Sequence, residues 1–360
     1  MRIAVVNLTS GGLSGGYRKY LARLMPLLAN DARVTALRVF VPEAAAAGMD
    51  RGVDVRTWPR HTGRRFTSVV RDVVAGAPDV VFVPTARHAE FANLPVVTMV
   101  RNMEPLTVPF DGNTWGEGLK NVARAWEARR ACRRAARVIA VSEHVRDFIV
   151  SRWQIDQDRV GTVYHGVDRP GPAEAAPDPA RLRTLFTAGS IRPARGLEDI
   201  IRALPLIDPD VRLLIAGEAD AGCEGYAEHL HRLCGDLGVT SRVTFAGQLG
   251  PADMTEAFRR CAAFVMTSRA EACPNTALEA MSCGCAIVSV DRAPMPEFFG
   301  EAALYYPLAE IPALAQQLRA VITSTAEHDR LAGAARRRAA GFTWEATRDR
   351  TIQELERARS

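Results

Sequence analysis

Two glutamates stand eight residues apart in the segment 265–290, VMTSRAEACPNTALEAMSCGCAIVSV, and carboxylates so placed can bind the hydroxyls of a ligand. The apolar runs at the two ends of this segment predict buried strands. Between them, Pro274 suits a first helical turn and Gly284 suits a helix end, so we predict a strand, a helix and a second strand. Glu271 then precedes the helix, and Glu279 lies within it.

The predicted helix start would form an anion site. Backbone N–H groups near Asn275 and Thr276 would point outward without partners, and together with the helix dipole such groups attract a diphosphate. Glu279 lies on the same helical face as Asn275, ~6 Å further along the axis, where it can accept hydrogen bonds from ribose hydroxyls. Glu271 would do the same for a sugar at the other end of the diphosphate. The segment therefore predicts a site for a sugar nucleotide.

The stretch EACPNTALEAMSCG resembles the E-x7-E signature of the retaining GT-B glycosyltransferases of family 4, also called glycosyl transferases group 1, with Glu271 and Glu279 as the two glutamates. The resemblance covers nearly the whole chain, through RVIAVSEHVRDFIV, VYHGVD, LFTAGSIRPARGLEDIIRAL, LLIAGE, VTFAGQL and FTWEATRDR. It implies a nucleotide diphosphate sugar as donor and a sugar, a lipid-linked molecule or a small molecule as acceptor. Without this context, ion pairs or a solvated helix face explain the two glutamates equally well.

The order of the apolar runs predicts two α/β domains. A chain of 360 residues exceeds one ordinary core. The strand candidates of the first half are RIAVVNL, RVTALRVFVP, VDVRTW, DVVFVP, PVVTMV and RVIAVS, and those of the second half are TLFTAG, VRLLIAG, RVTFAG, AAFVMTS, CAIVSV and ALYYPL. They alternate with helical stretches in both halves, which indicates parallel sheets covered by helices. We predict two doubly wound Rossmann-like domains, 1–169 on the acceptor side and 183–342 on the nucleotide-sugar side, joined by a Pro- and Ala-rich linker at 170–182. The resemblance implies that they face a cleft and that a helix in 343–360 crosses back to the first domain.

Cysteine usage and hydropathy favour a cytoplasmic protein. The chain has seven cysteines, and the one close pair, Cys283 and Cys285, has the wrong spacing for a zinc site, so we predict buried thiols. No run approaches the ~20 apolar residues of a membrane span. The segment Met1–Leu8 leads into a glycine loop, which does not fit a signal peptide.

The formal charge of +5 comes largely from arginine, which is densest in AWEARRACRRAAR, part of a predicted basic helix at 124–137. The arginines of this cluster are Arg129, Arg130, Arg133, Arg134 and Arg137. Such a helix is either a solvated face or a surface that docks peripherally to the inner, anionic face of a membrane or to a phosphate-bearing acceptor. No nucleic-acid-binding motif accompanies it, so we predict no nucleic-acid partner.

The loop SIRPARG follows the first predicted strand of the second domain and brings Arg192 and Arg195 to the carboxyl end of that strand. Two guanidiniums there would neutralise the charge of a leaving diphosphate. The resemblance puts Arg195 where relatives carry a lysine and Ser190 where they carry an arginine, so Arg192 would replace the missing arginine. Surface arginines that cap the next helix are the alternative.

Two glycine-bearing loops are the remaining donor-side candidates. The loop before the first helix contains Gly11–Gly12 and Gly15–Gly16, and its spacing excludes the dinucleotide fingerprint. The resemblance implies that the second pair faces the reaction centre, with a flexible turn as the alternative. It also implies that Gly247 and Gln248 offer backbone groups to the nucleobase, although a plain turn at a strand end would have the same sequence.

The acceptor side lacks the histidine that many relatives carry after the strand PVVTMV, because the chain reads RNMEPL there. Asn102 and Glu104 in this segment, and His88 after the preceding strand, are therefore the candidates. A hydrogen-bonded structural role is the alternative for His88. We assign His165, close to the linker, a structural role.

Two D-x-D triplets, Asp156 to Asp158 and Asp208 to Asp210, precede predicted strands and suit turns rather than a metal site. The arginines and the helix start already supply positive charge. We therefore predict no metal and no cofactor other than the donor substrate.

Together these residues predict a metal-independent, retaining glycosyltransferase that stabilises a departing diphosphate electrostatically. Three other activities stay open. A hydrolase would use Glu271 and Glu279 as its carboxylate pair, a sugar-nucleotide epimerase would need no acceptor, and a non-catalytic module would bind the sugar nucleotide without turnover. The sequence names neither the base, the sugar nor the acceptor.

Overall fold

The chain forms two compact units, each made of more than one stretch of the sequence. The computed structural model describes residues 1–8, 15–43, 52–58, 66–171 and 183–359. Unit 1 comprises Met1–Leu106, Gly118–Gly166 and Phe342–Ser360, and unit 2 comprises Thr107–Glu117 and Val167–Gly341. The predicted linker lies outside the described residues, except for its first two positions.

Unit 1 is built on a parallel sheet of seven strands: β1 Arg2–Val6, β2 Ala36–Pro42, β3 Asp54–Trp58, β4 Val80–Val83, β5 Val96–Val100, β6 Arg137–Ala140 and β7 Val160–Thr162. Their spatial order is β3-β2-β1-β4-β5-β6-β7. Central strands such as β4 are buried along their whole length, as parallel strands covered on both faces must be. The first six strands confirm the apolar runs of the sequence.

Unit 2 contains a second parallel sheet, of six strands: β8 Thr184–Ala188, β9 Arg212–Ala216, β10 Val243–Phe245, β11 Ala263–Met266, β12 Ile287–Val290 and β13 Ala303–Tyr306. Their order is β10-β9-β8-β11-β12-β13. All six were predicted. The predicted fold class, two doubly wound α/β domains, is therefore confirmed.

The helices connect the strands and cover the sheets. Those before β8 are α1 Gly15–Ala29, α2 Phe66–Ala75, α3 Glu104–Thr107, α4 Trp115–Arg134 and α5 Glu143–Trp153. Those after β8 are α6 Leu197–Ala203, α7 Glu224–Asp236, α8 Pro251–Arg260, α9 Asn275–Ser282, α10 Met295–Phe299, α11 Ile311–Thr323, α12 Thr325–Ala339 and α13 Trp344–Arg357.

Each sheet has one position where the strand order reverses. In unit 1 the chain builds outward from β1 to β3 and then returns to the other side of β1 with β4, and in unit 2 it does the same with β8 and β11. In doubly wound folds, ligands bind in a crevice at such a position, bordered by the loops that follow the carboxyl ends of the two paired strands. In unit 2 the two loops are 189–196 and 267–274.

Helix α13 belongs to unit 1, which confirms the predicted return of the chain. Thr343 caps the helix by accepting a hydrogen bond from Ala346 N, and the Thr347 hydroxyl donates to Tyr164 O at 2.9 Å. Further along, Arg137 Nε in β6 donates to Glu354 Oε2 at 2.6 Å. Both side chains of this ion pair are largely buried, 12% and 6% exposed.

The ion pair to Glu354 corrects one prediction. The basic helix was expected to run to residue 137, but α4 ends at Arg134 and Arg137 begins β6. A strand of a buried sheet starts there because the residues that follow, Val138 to Ala140, are fully buried. Arg137 is therefore a structural residue of unit 1 and does not contribute to the charge of the basic surface.

The seven cysteines all lie in the described part of the chain, and none forms a disulfide. Five are buried, as predicted, while Cys223 and Cys283 are half-buried. Burial raises the pKa of Cys132 to about 12, which keeps this thiol protonated. Among the helices of the described residues, none combines the length and apolarity that a membrane crossing requires.

Candidate functional site

Three glycines end the adjacent strands β8, β9 and β10 of unit 2 with positive φ angles: Gly189 at 138°, Gly217 at 129° and Gly247 at 64°. Gly217 N donates to Gly247 O at 2.8 Å. A Cβ atom added at Gly217 would lie 2.8 Å from the carbonyl carbon of Gly189, so the backbones approach too closely for a side chain. Each glycine follows an alanine, and this repeated Ala-Gly at strand ends is the sequence signal of the close approach.

Arg195 lies across the first of these glycines. It ends a 3₁₀ turn, Pro193–Arg195, and an added Cβ at Gly189 would lie 2.6 Å from its Cζ atom. Nη1 donates to Glu271 Oε1 at 2.7 Å and to Ser268 Oγ at 3.2 Å, while Nη2 donates to Ala188 O. The structure thus brings together Arg195 and Glu271, two residues singled out in the sequence 76 positions apart.

The loop after β11 fixes the backbone of this arginine. Thr267 Oγ1 donates to Arg195 O at 2.7 Å, and Arg269 N donates to Ala194 O at 2.8 Å. Gly196 has a φ of 60°, and a Cβ there would lie 2.7 Å from Thr267 O. The loops after β8 and β11 therefore form one hydrogen-bonded body at the crevice of unit 2.

Arg192 takes a different position in the same loop. Its Nη1 atom lies 3.6 Å from Asp220 Oδ2, on the segment after β9, and its side chain is 28% exposed. In contrast, the Arg195 and Glu271 side chains are 11% and 13% exposed. Arg192 is therefore the more accessible guanidinium of the two.

Helix α9 begins at Asn275, and Gly284 follows its end with a φ of 76°, as predicted. Pro274 is the N-cap, one position before the first turn in which it was predicted. A second detail of the prediction is wrong. Asn275 N is not an outward, unpaired group, because it donates to Cys273 O at 2.9 Å in the turn that starts the helix. The helix start still lies at the carboxyl end of β11, with Thr276 in its first turn and Glu279 half-buried further along.

The two nucleobase candidates lie at the carboxyl end of β10. Gly247 bridges to the end of β9 through its carbonyl, and Gln248 is exposed. Both positions belong to the same edge of the sheet as Arg195.

An ionic cluster around Arg269, in the loop after β11, was not predicted from the sequence. Arg269 pairs with Glu198 of α6 and, at 3.2 Å, with Asp111. Tyr226 donates its hydroxyl hydrogen to Glu198 and accepts a hydrogen bond from Leu197 N at 3.1 Å. Burial acts to lower the pKa of Arg269, but Glu198 and Asp111 outweigh it and raise that pKa. No motif could have revealed this cluster, because its members are far apart in the sequence.

The segment 107–117 packs on the same loops. Val108 forms a small buried cluster with Ala194 and Ala270, the neighbours of Arg195 and Glu271. A Cβ at Gly112 would lie 2.5 Å from the Cβ atom of Pro193. This segment therefore packs against the loop that carries Arg195.

In unit 1, the acceptor-side candidates follow the adjacent strands β1, β4 and β5. Gly15–Gly16 open α1 and are exposed, whereas Gly11–Gly12 lie outside the described residues. His88 Nε2 is 3.7 Å from Glu90 Oε1, beyond hydrogen-bond reach, and within the described residues this atom has no hydrogen bond. The hydrogen-bonded role weighed for His88 is thus not seen at Nε2.

The segment RNMEPL has a structural task as well. Asn102 Oδ1 accepts a hydrogen bond from Glu104 N at 3.1 Å and thereby caps α3. The guanidinium of Arg101 lies 4.0 Å from the ring centroid of Tyr17, near the start of α1. His165 is buried against the ring of Tyr20, which agrees with the structural role assigned to it.

The D-x-D triplets are turns, as predicted. Asp156 Oδ1 accepts from Asp158 N, and Asp208 Oδ1 accepts from Asp210 N, both at 2.9 Å. Both turns precede strands and so lie at the amino ends of the sheets. Among the described residues, no group of three His, Cys, Asp or Glu side chains is arranged to hold a metal ion.

Two doubly wound units are the architecture of the GT-B class. In this chain, an arginine and a glutamate are hydrogen-bonded beside a helix start at the crevice of the second unit. Comparison with known families identifies the group. Residues 14–169 match Glycosyltransferase Family 4, and residues 182–324 match Glycosyl transferases group 1. The chain belongs to the family 4 glycosyltransferases of the GT-B fold.

Solved structures share the fold over almost the whole chain. Anabaena HepE in complex with UDP-glucose is 20% identical, covers 99% of both chains and has a TM-score of 0.79. Sucrose-phosphate synthase from Thermosynechococcus elongatus is 15% identical, covers 98% of both chains and has a TM-score of 0.77.

Curated relatives match over a shorter span. The D-inositol 3-phosphate glycosyltransferase of Mycolicibacterium gilvum is 30% identical over 171 residues, which is 45% of this chain and 38% of the relative. That of Mycobacterium tuberculosis is 27% identical over 255 residues, 68% of this chain and 53% of the relative. The match thus spans about half or less of these proteins.

We predict that Arg269→Ala destabilises the region around α6 by roughly 3 kcal/mol, because it leaves the buried Glu198 carboxylate without its cation. Asp111→Ala is the matched control. It removes the exposed partner of the same arginine, 43% exposed, and should cost less than about 1 kcal/mol. Hydrogen exchange of the α6 amides measures both effects locally. Equal protection of these amides in the Arg269 variant and the wild type would contradict the prediction.

Proposed function

We propose that the chain transfers a sugar from a nucleotide diphosphate sugar to an acceptor hydroxyl, with retention of the anomeric configuration. The observation that carries the proposal is the contact of Arg195 with Glu271 at the crevice of unit 2, beside the start of α9. A cation for a diphosphate and a carboxylate for sugar hydroxyls are thereby within one hydrogen bond of each other. HepE, which shares the fold, was crystallised with UDP-glucose.

Each donor-side residue has a distinct role in this proposal. Arg195 and, from the more exposed side, Arg192 neutralise the departing diphosphate together with the first turn of α9. Glu271 orients the transferred sugar and Glu279 binds the ribose, while Gly247 and Gln248 contact the base through their backbone. Because these groups are held in place before the reaction, they stabilise the developing charge without reorganising.

Arg195 also has the capacity for this role. A guanidinium has five N–H groups. The bonds to Glu271, Ser268 and Ala188 use three of them in the described structure. Two N–H groups remain for diphosphate oxygens, and the three existing bonds fix the plane in which they point.

The acceptor side is proposed from unit 1. Gly15–Gly16, His88 and Asn102 follow three neighbouring strands of its sheet, at the edge where ligands bind in such folds. The curated relatives are named for D-inositol 3-phosphate, a small hydroxylated molecule. We therefore propose a hydroxyl of a glycan, a lipid-linked molecule or a small polyol as the acceptor, without a metal or a further cofactor.

A thermal-shift panel of UDP-, GDP- and dTDP-sugars tests the donor. A donor at 100 times its dissociation constant adds ~2.7 kcal/mol of stability.

The stabilising donor is then incubated with acceptors in EDTA, and the anomeric configuration of the product is determined. Free sugar released from a glycoside without nucleotide would indicate a hydrolase, conversion of the donor alone an epimerase, and binding without turnover a non-catalytic module. Loss of transfer that magnesium restores would exclude metal independence.

We predict that Glu279→Ala weakens donor binding, whereas Glu271→Ala mainly lowers kcat, because one carboxylate binds the ribose and the other the reacting sugar. Calorimetry with the donor and with its nucleoside diphosphate measures the first effect. Glu297→Ala, in α10, is a control for the loss of one carboxylate elsewhere in unit 2. Wild-type affinity of the Glu279 variant for nucleoside diphosphate would refute the ribose assignment.

We predict that Arg195→Ala lowers kcat/KM more than Arg192→Ala. A charged hydrogen bond to the leaving group is worth ~1.5–3 kcal/mol, or about ten- to a hundredfold in rate. Because Glu271 orients Arg195, the double variant Arg195→Ala, Glu271→Ala should lose less than the product of the two single losses. Wild-type kinetics in the Arg195 variant would remove this loop from the site.

A further inference from the structure

Helix α4 carries an exposed apolar stripe. Trp115 is 80% exposed, Leu119 62%, Val122 46% and Trp126 65%. At 3.6 residues per turn these four positions fall within an arc of about 60° along one side of the helix. The buried residues of α4 point elsewhere and include Asn121, Ala128 and Cys132. Two largely exposed tryptophans on one such stripe mark an interaction surface.

The stripe leads into the arginine cluster. In the next two turns of α4, Arg129, Arg130, Arg133 and Arg134 surround a surface cavity of about 280 Å³ that is also lined by Trp126. The guanidinium of Arg130 lies 5.8 Å from the centroid of the Trp126 ring. Within the described residues, none of these four arginines has a carboxylate within ion-pair distance. Arg137, three positions further on, by contrast forms an ion pair with Glu354.

We propose that α4 lies on an anionic lipid membrane, with the stripe at the level of the headgroups and upper acyl chains and the arginines on the lipid phosphates. Tryptophan is suited to this level because its ring is amphipathic. Arginine binds phosphate through two N–H groups at once, and each basic residue near an anionic surface strengthens binding about fivefold. An aqueous environment alone would explain the arginines but not the apolar stripe beside them.

The partner is a membrane rather than a protein, because the charge on this face is one-sided. In α4 the acidic residues are Glu117 and Glu127, and Glu127 already pairs with Arg87. A second copy of the chain would bring its own arginine cluster to the contact. An anionic bilayer supplies a continuous negative surface together with an apolar layer beneath it.

Co-sedimentation of the full chain with vesicles tests the proposal without donor or acceptor, so its outcome is separate from that of the proposed reaction. We expect binding to vesicles with 30% phosphatidylglycerol at low salt, weakened by added salt, and at least tenfold weaker binding to pure phosphatidylcholine. Arg130→Glu with Arg133→Glu should abolish binding, and Leu119→Ser with Trp126→Ser should weaken it at least tenfold.

Matched controls separate the α4 surface from general charge and hydrophobicity. Arg337→Glu changes an exposed arginine in the last turn of α12, and Leu206→Ser changes an exposed leucine of unit 2. Both should bind vesicles as the wild type does. Equal binding by the α4 variants and the wild type, or equal losses in the control variants, would overturn the proposal. A wild-type oligomer that the stripe variants convert to monomers, without vesicle binding, would assign the stripe to a second copy instead.

Discussion

The guanidinium of Arg195 occupies the volume that a side chain at residue 189 would need. This exclusion determines the residues around it. Gly189 must be glycine, its carbonyl carbon approaches Gly217, and Gly217 in turn donates to Gly247. At the carboxyl edge of the second sheet, the backbones of three strand ends are therefore in close contact, and the Arg195 side chain covers the first of them. A single Cβ at residue 189 would displace the cation and, through it, Glu271.

The pairing of Arg195 with Glu271 joins two loops that follow neighbouring strands but lie 76 residues apart in sequence. An ion pair at an exposed surface would contribute little to stability and would not hold one geometry. Here both side chains are largely buried, and hydroxyls from Thr267 and Ser268 add two more bonds between the loops. The contact therefore serves to position the groups more than to stabilise the fold.

The strands and the E-x7-E segment were predictable because their signals are local. Pro274 and Gly284 mark the helix between β11 and β12. Parallel strands that are buried on both faces have unbroken apolar sequences, which makes them easy to recognise. The three-residue strand β7 was missed, since Val160–Thr162 contains a glycine and only one fully buried position. The end of α4 was misplaced because a basic residue suits both a helix end and the first position of a strand. The cluster of Arg269, Glu198 and Asp111 had no local signal at all.

The segment 107–117 lies in sequence between two stretches of unit 1, yet it belongs to unit 2. The polypeptide consequently passes from one unit to the other four times, after residues 106, 117, 166 and 341. Neither unit is therefore a continuous fragment. A protein truncated to begin at residue 167 would lack Val108 and Asp111, leaving Ala194 and Ala270 uncovered and Arg269 with one acid fewer. A fragment or a domain exchange that keeps unit 2 intact must therefore include this eleven-residue insertion and cannot simply be cut at the linker.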